Sequence, residues 1–257
     1  MLPPARRQRI LERLARGGEV EVAGLAAELG ISVETARRDL TALEQRRLLR
    51  RVHGGAVALP SPALPPVRSR IDRAGAAKAD IAEAALPLVP AGAHVFLGAG
   101  STMLALAARL ADLPVRTTFV TNMIDIAVAL RRGVHEVHLT GGEVDADTHA
   151  VGGPEALRFL ERRLFDLAIT GAAAIDAEHG VMGPTAAHAA ITEILRRRAR
   201  RRMVLSDHSK FGRSDRYGQG DLAEIDVLVT DRPPPEPFPA RLAAAGVQLV
   251  VARGRRE

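Results

Sequence analysis

The residues between 32 and 38 combine hydroxyl, carboxylate and guanidinium groups at the start of one helical pattern. Ser32 is a good N-cap, because its hydroxyl accepts amide protons that the first helical turn leaves unpaired. Thr35 is small enough to approach a base edge, and Arg37 and Arg38 can contact guanine or phosphate. These residue types predict contacts with a nucleic acid. The residues predicted to make them are Ser32, Val33, Glu34, Thr35, Arg37 and Arg38.

Two helices separated by a tight turn are predicted to position these side chains. The first helix ends at Gly30, after which Ile31 turns into the core. The second helix carries its core-facing residues at helical spacing: Ala36, Leu40 and Leu43. Helix, tight turn and helix with a basic outer face predict a helix-turn-helix whose second helix enters the major groove.

A two-stranded wing is predicted after the second helix, because residues 48–52 lack a helical face and end at Gly54-Gly55. Arg50, Arg51 and His53 are expected to face phosphates from this wing. A helix over residues 4–16 is predicted to buttress the pair. The alternative is a solvated basic helix that packs elsewhere, but the turn, the cap, the core spacing and the charge all agree.

The stretch resembles the DeoR family of bacterial transcription regulators. The run TARRDLxxLE followed by RxHGGA carries the resemblance, through Leu25 to Leu29, Ser32, Thr35, Arg37 to Leu40, Leu43-Glu44 and His53 to Ala56. The resemblance implies an operator in double-stranded DNA as a partner.

Composition limits the remaining function classes. The chain has 257 residues with 47% hydrophobic residues and no cysteine, so a sizeable core is available and thiolate metal sites are excluded. We predict no cofactor and no metal site, since the eight histidines lack metal-ligand spacing. No apolar run reaches about 18 residues and no signal peptide is visible, which predicts a cytoplasmic protein without a membrane partner.

The charge is concentrated at the amino-terminal end. Formal net charge is +6, and residues 1–58 contain eleven arginines against seven acidic residues. This asymmetry favours a polyanionic partner for that piece. Of 36 basic residues only Lys78 and Lys210 are lysine, which suggests that a compact ammonium is needed at each, although chance survival is the alternative.

The rest of the chain predicts a second, larger domain. Four prolines over 58–68 predict a stiff linker between a domain of residues 1–57 and a domain of residues 69–257. Beyond the linker, short apolar strands alternate with helices, which predicts an α/β domain with a mainly parallel sheet. Helices are predicted over 73–88 and 155–164 among others, strands at 94–97, 117–121, 137–140, 167–171, 203–206, 227–230 and 247–251, and a long loop over 172–188.

Ligands of parallel sheets bind at the carboxyl ends of the strands, where four turns carry polar groups. The turn Gly98 to Thr102 can offer converging amides and two hydroxyls at a helix start. The turn after residue 206 adds a carboxylate and an ammonium, and together the two turns predict a phosphate-sized cationic cradle. For the other two turns, ordinary cap and turn chemistry is the alternative. The predicted effector-binding residues are Lys78, Gly98, Gly100, Ser101, Thr102, Thr121, Asn122, Gly141, Gly142, Asp207 and Lys210.

These turns also resemble the effector domain of the DeoR family. The matching positions are Lys78, Ile81-Ala82, Gly100 to Thr102, Thr121-Asn122, Gly141-Gly142, Gly152, Gly171-Ala172, Asp176, Gly180, Asp207, Ser209-Lys210 and Gly212. The resemblance implies a sensor domain similar to ribose-5-phosphate isomerases and CoA transferases. It also implies that the chain is a repressor of a sugar-catabolism operon and that its effector is a phosphorylated sugar or related metabolite. Binding of this effector would release the repressor from its operator.

Two further expectations concern assembly and chemistry. A single small module reads few base pairs, so a homo-oligomer, a dimer or a tetramer, is expected to read paired half-sites. The alternative function is a sugar-phosphate isomerase with a DNA-binding tail. Gly98 stands where the family commonly carries Asp, and Ala173 stands where the family and the isomerases often carry Asp. Enolisation needs a positioned base, so we expect a regulator and no enzyme.

Overall fold

The computed structural model describes residues 6–7, 9–11, 13–14, 19–45, 49–52, 54–58, 70–71 and 74–253. The chain divides into two compact units, residues 1–63 and residues 64–257. The predicted linker lies outside the described residues from position 59 onward.

The amino-terminal unit contains helices and a small sheet. The backbone is helical at 6–7, 9–11 and 13–14, within the predicted first helix. The elements that follow are β1 Glu19–Glu21, α1 Val22–Leu29, α2 Val33–Gln45, β2 Leu49–Val52 and β3 Gly55–Ala58. Helix, turn and helix are therefore present as the spacing predicted.

Gly30 ends α1 in the left-handed conformation, at φ 63°, which side chains other than glycine adopt at a cost. The next residue, Ile31, donates its amide to the Ala26 carbonyl and packs against the core. The core of this unit consists of Ile10, Leu14, Val20, Val22, Leu25, Ala26, Ala36, Leu40, Leu43, Leu49 and Ala56. The predicted core face of α2 is confirmed.

The wing has one strand more than predicted. β2 and β3 pair antiparallel, and β1 pairs with the other edge of β3, so the sheet order is β1-β3-β2. The β1 strand approaches β3 closely, because a Cβ at Gly55 would lie 2.1 Å from the Val20 carbonyl oxygen. A glycine at 55 is thus required by steric contact with the neighbouring strand.

The carboxy-terminal unit alternates strands and helices. Its elements are α3 Gly75–Ala85, β4 His94–Leu97, α4 Ser101–Leu110, β5 Thr118–Thr121, α5 Ile124–Leu130, β6 Glu136–Leu139, β7 Glu143–Val144, β8 Val151–Gly152, α6 Pro154–Glu161, β9 Leu167–Gly171, β10 Ala174–Asp176, β11 Gly180–Gly183, α7 Ala186–Arg198, β12 Arg202–Leu205, β13 Tyr217–Gly220, β14 Val227–Thr230, α8 Phe238–Ala244 and β15 Gln248–Val251.

Seven strands form one parallel sheet in the order β15-β14-β12-β9-β4-β5-β6. From β4 the chain adds β5 and β6 on one side, then returns to place β9 on the other side of β4. The order therefore reverses between β4 and β9, and such a reversal opens a crevice at the carboxyl ends of the two strands. The predicted parallel α/β architecture is confirmed.

Helices cover both faces of this sheet. Val95 and Leu97 of β4 pack in a core with residues of α3, α4 and α5. Phe96, between them, points to the opposite face and packs with residues of α6 and α7. Side chains of a strand alternate between faces, so each buried strand supplies two cores.

Three predicted features differ from the structure. The long loop predicted over 172–188 is wrong, because β10 and β11 lie there and pair with each other, and β11 also pairs with β13 in a second, antiparallel sheet. The helix predicted over 155–164 ends at Glu161. The helix predicted over 73–88 ends at Ala85 and continues as a 3-10 turn, Leu86–Leu88, where Pro87 lacks the amide that a helix needs.

Candidate nucleic-acid interface and ligand cavity

Helix α2, the predicted recognition helix, begins with a side-chain cap. The Thr35 amide donates to Ser32 Oγ at 3.1 Å, and the hydroxyls of the two residues lie 2.8 Å apart. The predicted N-cap is confirmed, and Thr35 is tied to it. This arrangement fixes the first turn of α2, which a groove-reading helix presents to the bases.

The outer face of that turn is polar and exposed. Val33, Glu34, Arg37 and Arg38 are all exposed, and Thr35 is half-buried. Arg38 Nε lies 3.4 Å from Glu34 Oε1, an exposed pair that water screens strongly. Arg37 and Arg38 thus both present their side chains to solvent, as a phosphate or guanine contact requires.

The wing arginines differ in their surroundings. Arg50 is exposed on β2. Arg51 is anchored to α2, because its amide donates to Glu44 Oε1 at 2.9 Å and its Nη1 donates to Thr41 Oγ1 at 3.1 Å. Arg51 therefore holds the wing against the recognition helix as well as carrying charge. His53 lies outside the described residues.

Asp39 was not predicted to have a role, yet it anchors the inner face of α2. Only 1% of the residue is exposed, and its carboxylate accepts hydrogen bonds from Arg6 and from Arg7 Nε at 2.9 Å. Burial raises the pKa of Asp39, but the hydrogen bonds from the two arginines outweigh it and hold the pKa below its usual value. The signal in the sequence is an acid one position before Leu40, on the apolar face of a basic helix.

A cavity of about 180 Å³ lies in the carboxy-terminal unit. We call it the strand-end cavity, because it lies where the carboxyl ends of β4, β9 and β12 meet. It is lined by Arg70, Ala74, Lys78, Ala99 to Met103, Thr148, Gly171 to Ala173, Pro184, His188, Leu205 to Asp207, Ser209, Lys210 and Gln219. Of the predicted effector residues, the structure brings Lys78, Gly100, Ser101, Thr102, Asp207 and Lys210 together here.

One side of the cavity is the start of α4. Gly100 is the N-cap of α4, and within the described residues no side chain caps the amides of the first turn. The uncapped amides carry the partial positive charge of a helix N-terminus. The hydroxyls of Ser101 and Thr102 add donors, so this turn can bind an anion.

The turn after β12 brings a carboxylate and an ammonium to the same cavity. Asp207 caps the 3-10 turn His208–Lys210, with Oδ1 accepting from the Ser209 amide at 3.0 Å and from its hydroxyl. This engagement fixes the turn that carries Lys210. Lys78 enters from α3, where it is 6% exposed and donates to the Arg70 carbonyl.

Arg70 and His188 were not among the predicted site residues. Burial lowers the pKa of Arg70, against the opposing effect of Asp145. Burial, and then the positive charge of Arg70, lower the pKa of His188, while Asp145 opposes. Asp145 in turn has its pKa lowered by hydrogen bonds from Thr148, whose hydroxyl is 2.5 Å from Oδ1. Arg70 and His188 therefore lie in the lining, and Asp145 acts on both from outside it.

Five predicted effector residues do not line the strand-end cavity. Thr121 is fully buried, and its Oγ1 accepts from the Met123 amide at 3.2 Å. Asn122 Nδ2 donates to the Val151 carbonyl at 3.3 Å, so it fixes β8. A Cβ at Gly142 would lie 2.0 Å from the Gly152 carbonyl oxygen, which indicates close backbone packing at that turn. The other two are Gly98 and Gly141.

Thr121 and Asn122 support the cavity from behind through their neighbour in the chain. Met123 Sδ accepts from the Gly100 amide at 3.4 Å, which places the turn after β5 against the turn at the start of α4.

No group of three His, Asp or Glu residues within the described ranges could hold a metal ion, and no helix there is long and apolar enough to cross a membrane.

Comparison with known proteins places both units in one family. The model of the DeoR-like helix-turn-helix domain matches residues 6–61, and the model of the DeoR C terminal sensor domain matches residues 73–232. The HTH-type transcriptional regulator GlpR of Haloferax volcanii is 34% identical over 97% of this chain and 98% of its own. The glycerol-3-phosphate regulon repressor of Escherichia coli is 30% identical over 88% of this chain and 90% of its own.

Among solved structures, ribose 5-phosphate isomerase A from Neisseria gonorrhoeae is similar with a TM-score of 0.39, at 18% identity over 52% of each chain. The family models and full-length relatives carry more weight. On the two domain matches and the 34% identical relative, this chain belongs to the DeoR family of DNA-binding transcriptional regulators.

Proposed function

We propose that this chain is a repressor that binds a small phosphorylated sugar or related metabolite in the strand-end cavity and then releases its operator. The observation that carries the proposal is the charge of the lining. Among the described residues of the cavity, Arg70, Lys78 and Lys210 are basic, and Asp207 is the one carboxylate. A phosphate monoester carries a charge of about −1.5 to −2 at pH 7, which balances that excess.

The uncapped start of α4 supports a phosphate in particular. Backbone amides at a helix start suit the oxygens of a phosphate, and Lys210 adds a point charge without a demand for bidentate geometry. The volume of about 180 Å³ favours a small metabolite, because pockets for drug-sized ligands have volumes of roughly 300–1,000 Å³. The relative named as a glycerol-3-phosphate regulon repressor also supports this ligand class.

The amino-terminal unit supplies the DNA contacts in this proposal. Arg37, Arg38, Thr35 and their neighbours read the major groove, and Arg50 contacts a phosphate from the wing. A homo-oligomer reads paired half-sites, since one module contacts few base pairs. For the ligand to act as a switch, its affinity must differ between the DNA-bound and the released state.

The isomerase alternative receives less support from the cavity. Proton transfer between carbons needs a base within reach of the substrate. Asp207 already accepts two hydrogen bonds from Ser209, and Ala173 provides no carboxylate in the lining. Direct assay of isomerisation with pentose phosphates separates the two functions.

Operator release tests the proposal. An operator is first selected from a random duplex pool, and a labelled copy is then bound at fixed salt. Phosphorylated sugars are titrated while anisotropy of the label is followed, and thermal shift checks binding without DNA. We expect at least one phosphate ester to raise the Tm and to release the operator, with the unphosphorylated sugar inert. A panel that changes neither quantity contradicts the proposal.

A further inference from the structure

Gln219 occupies an irregular position in the small antiparallel sheet beside the cavity. In the pairing of β11 with β13, Val181 is opposite Gly220 and Met182 is opposite Gly218. Two consecutive residues of β11 therefore face residues of β13 that are separated by Gln219, which makes Gln219 the extra residue of a β-bulge. Bulges redirect one side chain away from the regular alternation and are frequent beside functional sites.

The side chain of Gln219 lies over a glycine that leaves room for it. A Cβ at Gly183 would be 2.3 Å from Gln219 Nε2 and 2.9 Å from its Cδ. Gly183 has no positive φ, so its backbone accepts an L side chain and only the amide of Gln219 would have to move. Gly183 thus determines where the amide of Gln219 lies.

The amide has hydrogen-bonding capacity that the protein does not use. Its oxygen can accept and its nitrogen can donate two hydrogen bonds, and none of the described residues is a partner of this side chain. Gln219 is half-buried and lines the strand-end cavity. A half-buried amide of this kind is free to exchange its water for a hydrogen-bonding group of a ligand.

On the side of the strand-end cavity the sheet around Gln219 is neutral, although Gln219 also lines a second, small cavity together with Arg202. Pro184 follows Gly183 directly, and the Ala173 amide donates to the Met182 carbonyl at 3.1 Å, so this wall consists of β11, Ala173 and Pro184. The basic residues of the lining lie elsewhere: Lys78 is on α3, Arg70 precedes α3, and Lys210 is in the turn after β12. A ligand group beside Gln219 therefore meets an amide and apolar carbon, a combination that suits a neutral hydroxyl or carbonyl group.

We propose that Gln219, positioned by Gly183, is a specificity-determining residue of the strand-end cavity that hydrogen-bonds a hydroxyl or carbonyl of the ligand's unphosphorylated part. The proposal rests on the proposed function, because it assigns the phosphate to the cationic part of the same cavity. It predicts that affinity beyond that for phosphate alone depends on this amide.

The test separates the two parts of the ligand. Calorimetric titration of the full chain uses inorganic phosphate, glycerol 3-phosphate, ribose 5-phosphate and 2-deoxyribose 5-phosphate. The variants are Gln219→Met, which keeps the side-chain volume, Gly183→Ala, which displaces the amide, and the double variant. Thermal unfolding shows whether each variant is folded. If Gly183→Ala is not folded, the result for Gln219→Met alone decides the test.

We expect at least one ester to bind wild type more tightly than phosphate does, and each single variant to bind it about three- to tenfold more weakly. Phosphate affinity should change less than about twofold, and the double variant should bind no more weakly than Gln219→Met, because both changes remove one interaction. An ester preference that survives in folded Gln219→Met overturns the inference. So does a wild type that binds every ester only as tightly as phosphate. Absence of binding by phosphate and all esters contradicts the proposed function itself.

Discussion

Arg7 Nε donates a hydrogen bond of 2.9 Å to Asp39 Oδ1, across 32 positions of the chain. With Arg6 on the other carboxylate oxygen, this contact joins the first helical segment to the inner face of α2. The outer face of the same helix presents Arg37 and Arg38 to solvent. One helix thus uses an acid for internal anchoring and arginines for external contact.

Asp39→Ala should destabilise the amino-terminal unit by about 1–3 kcal/mol, because it removes hydrogen bonds to a buried charge while its arginine partners remain partly hydrated. Hydrogen exchange of α2 amides in the full chain measures the change. The control is Glu34→Ala, whose exposed pair with Arg38 contributes at most about 0.5 kcal/mol. Equal protection of α2 in wild type and Asp39→Ala would contradict the anchoring role.

The carboxylate of Asp39 also makes the stability of the amino-terminal unit depend on pH. The pKa of Asp39 is lowered in the folded state, so its contribution to stability is present above the unfolded value of about 3.9. It is lost as the pH falls through the lower folded value. We expect α2 protection to decline in acid in wild type and to decline less in Asp39→Asn. Parallel pH profiles in the two proteins would show that Asp39 is not the titrating group.

Arg37→Ala and Arg38→Ala should each weaken operator binding by about 1–3 kcal/mol at fixed salt, through loss of a base or phosphate contact. Arg158→Ala is the matched control, because it removes the same charge from an exposed helix of the other unit. Anisotropy titrations at two salt concentrations separate a contact from a general charge effect. If the control lowers affinity as much as both variants do, these arginines make no specific contact.

Gly55→Ala should disrupt the three-stranded sheet, since its Cβ would lie 2.1 Å from the Val20 carbonyl oxygen. We expect a loss of about 2 kcal/mol or more in the stability of the amino-terminal unit, typical of overpacking. Gly24→Ala is the control: it lies within α1 with no atom near its Cβ, and should stabilise by roughly 0.5–1 kcal/mol. Hydrogen-exchange protection of the β3 and α1 amides measures the stability change in each variant. A Gly55→Ala protein whose amides are as protected as those of wild type would be inconsistent with this packing.

Lys210→Ala should remove the response to a phosphorylated effector and leave operator binding intact, because the residues proposed to contact DNA lie in the other unit. Loss of a charged hydrogen bond weakens ligand binding by about 1.5–3 kcal/mol. Arg213→Ala removes an exposed charge from the same loop and should respond as wild type does. Release curves that coincide for Lys210→Ala and wild type would place the phosphate elsewhere, whereas loss of DNA binding would make Lys210 structural.

Strands with apolar runs were predictable, and strands without them were not. Phe119 and Val120 or Val227 to Val229 are buried on both faces of the parallel sheet, so periodicity and composition identify their strands. β1 has three residues and two exposed acids, and β11 is half glycine. Their pairing depends on partners that are distant in sequence, which local patterns do not report.

The residues of the strand-end cavity also divide into those that the sequence predicted and those that it did not. Gly100 to Thr102 and Lys210 lie in the turns that follow β4 and β12, so the rule for parallel sheets locates them. Arg70 and His188 follow no strand of the main sheet and enter the lining through tertiary packing. The same rule also included Thr121 and Asn122, whose side chains turn to the backbone of Met123 and Val151.

The bulged strand β13 also carries the residue that gives the protein its intrinsic tyrosine fluorescence. Tyr217, opposite Gly183 in that strand, is the chain's one tyrosine, and the sequence contains no tryptophan. Ultraviolet emission of the unlabelled protein therefore originates two residues from Gln219, in the unit that holds the cavity. A change in that emission reports on the surroundings of β13, and the amino-terminal unit contains no tyrosine or tryptophan.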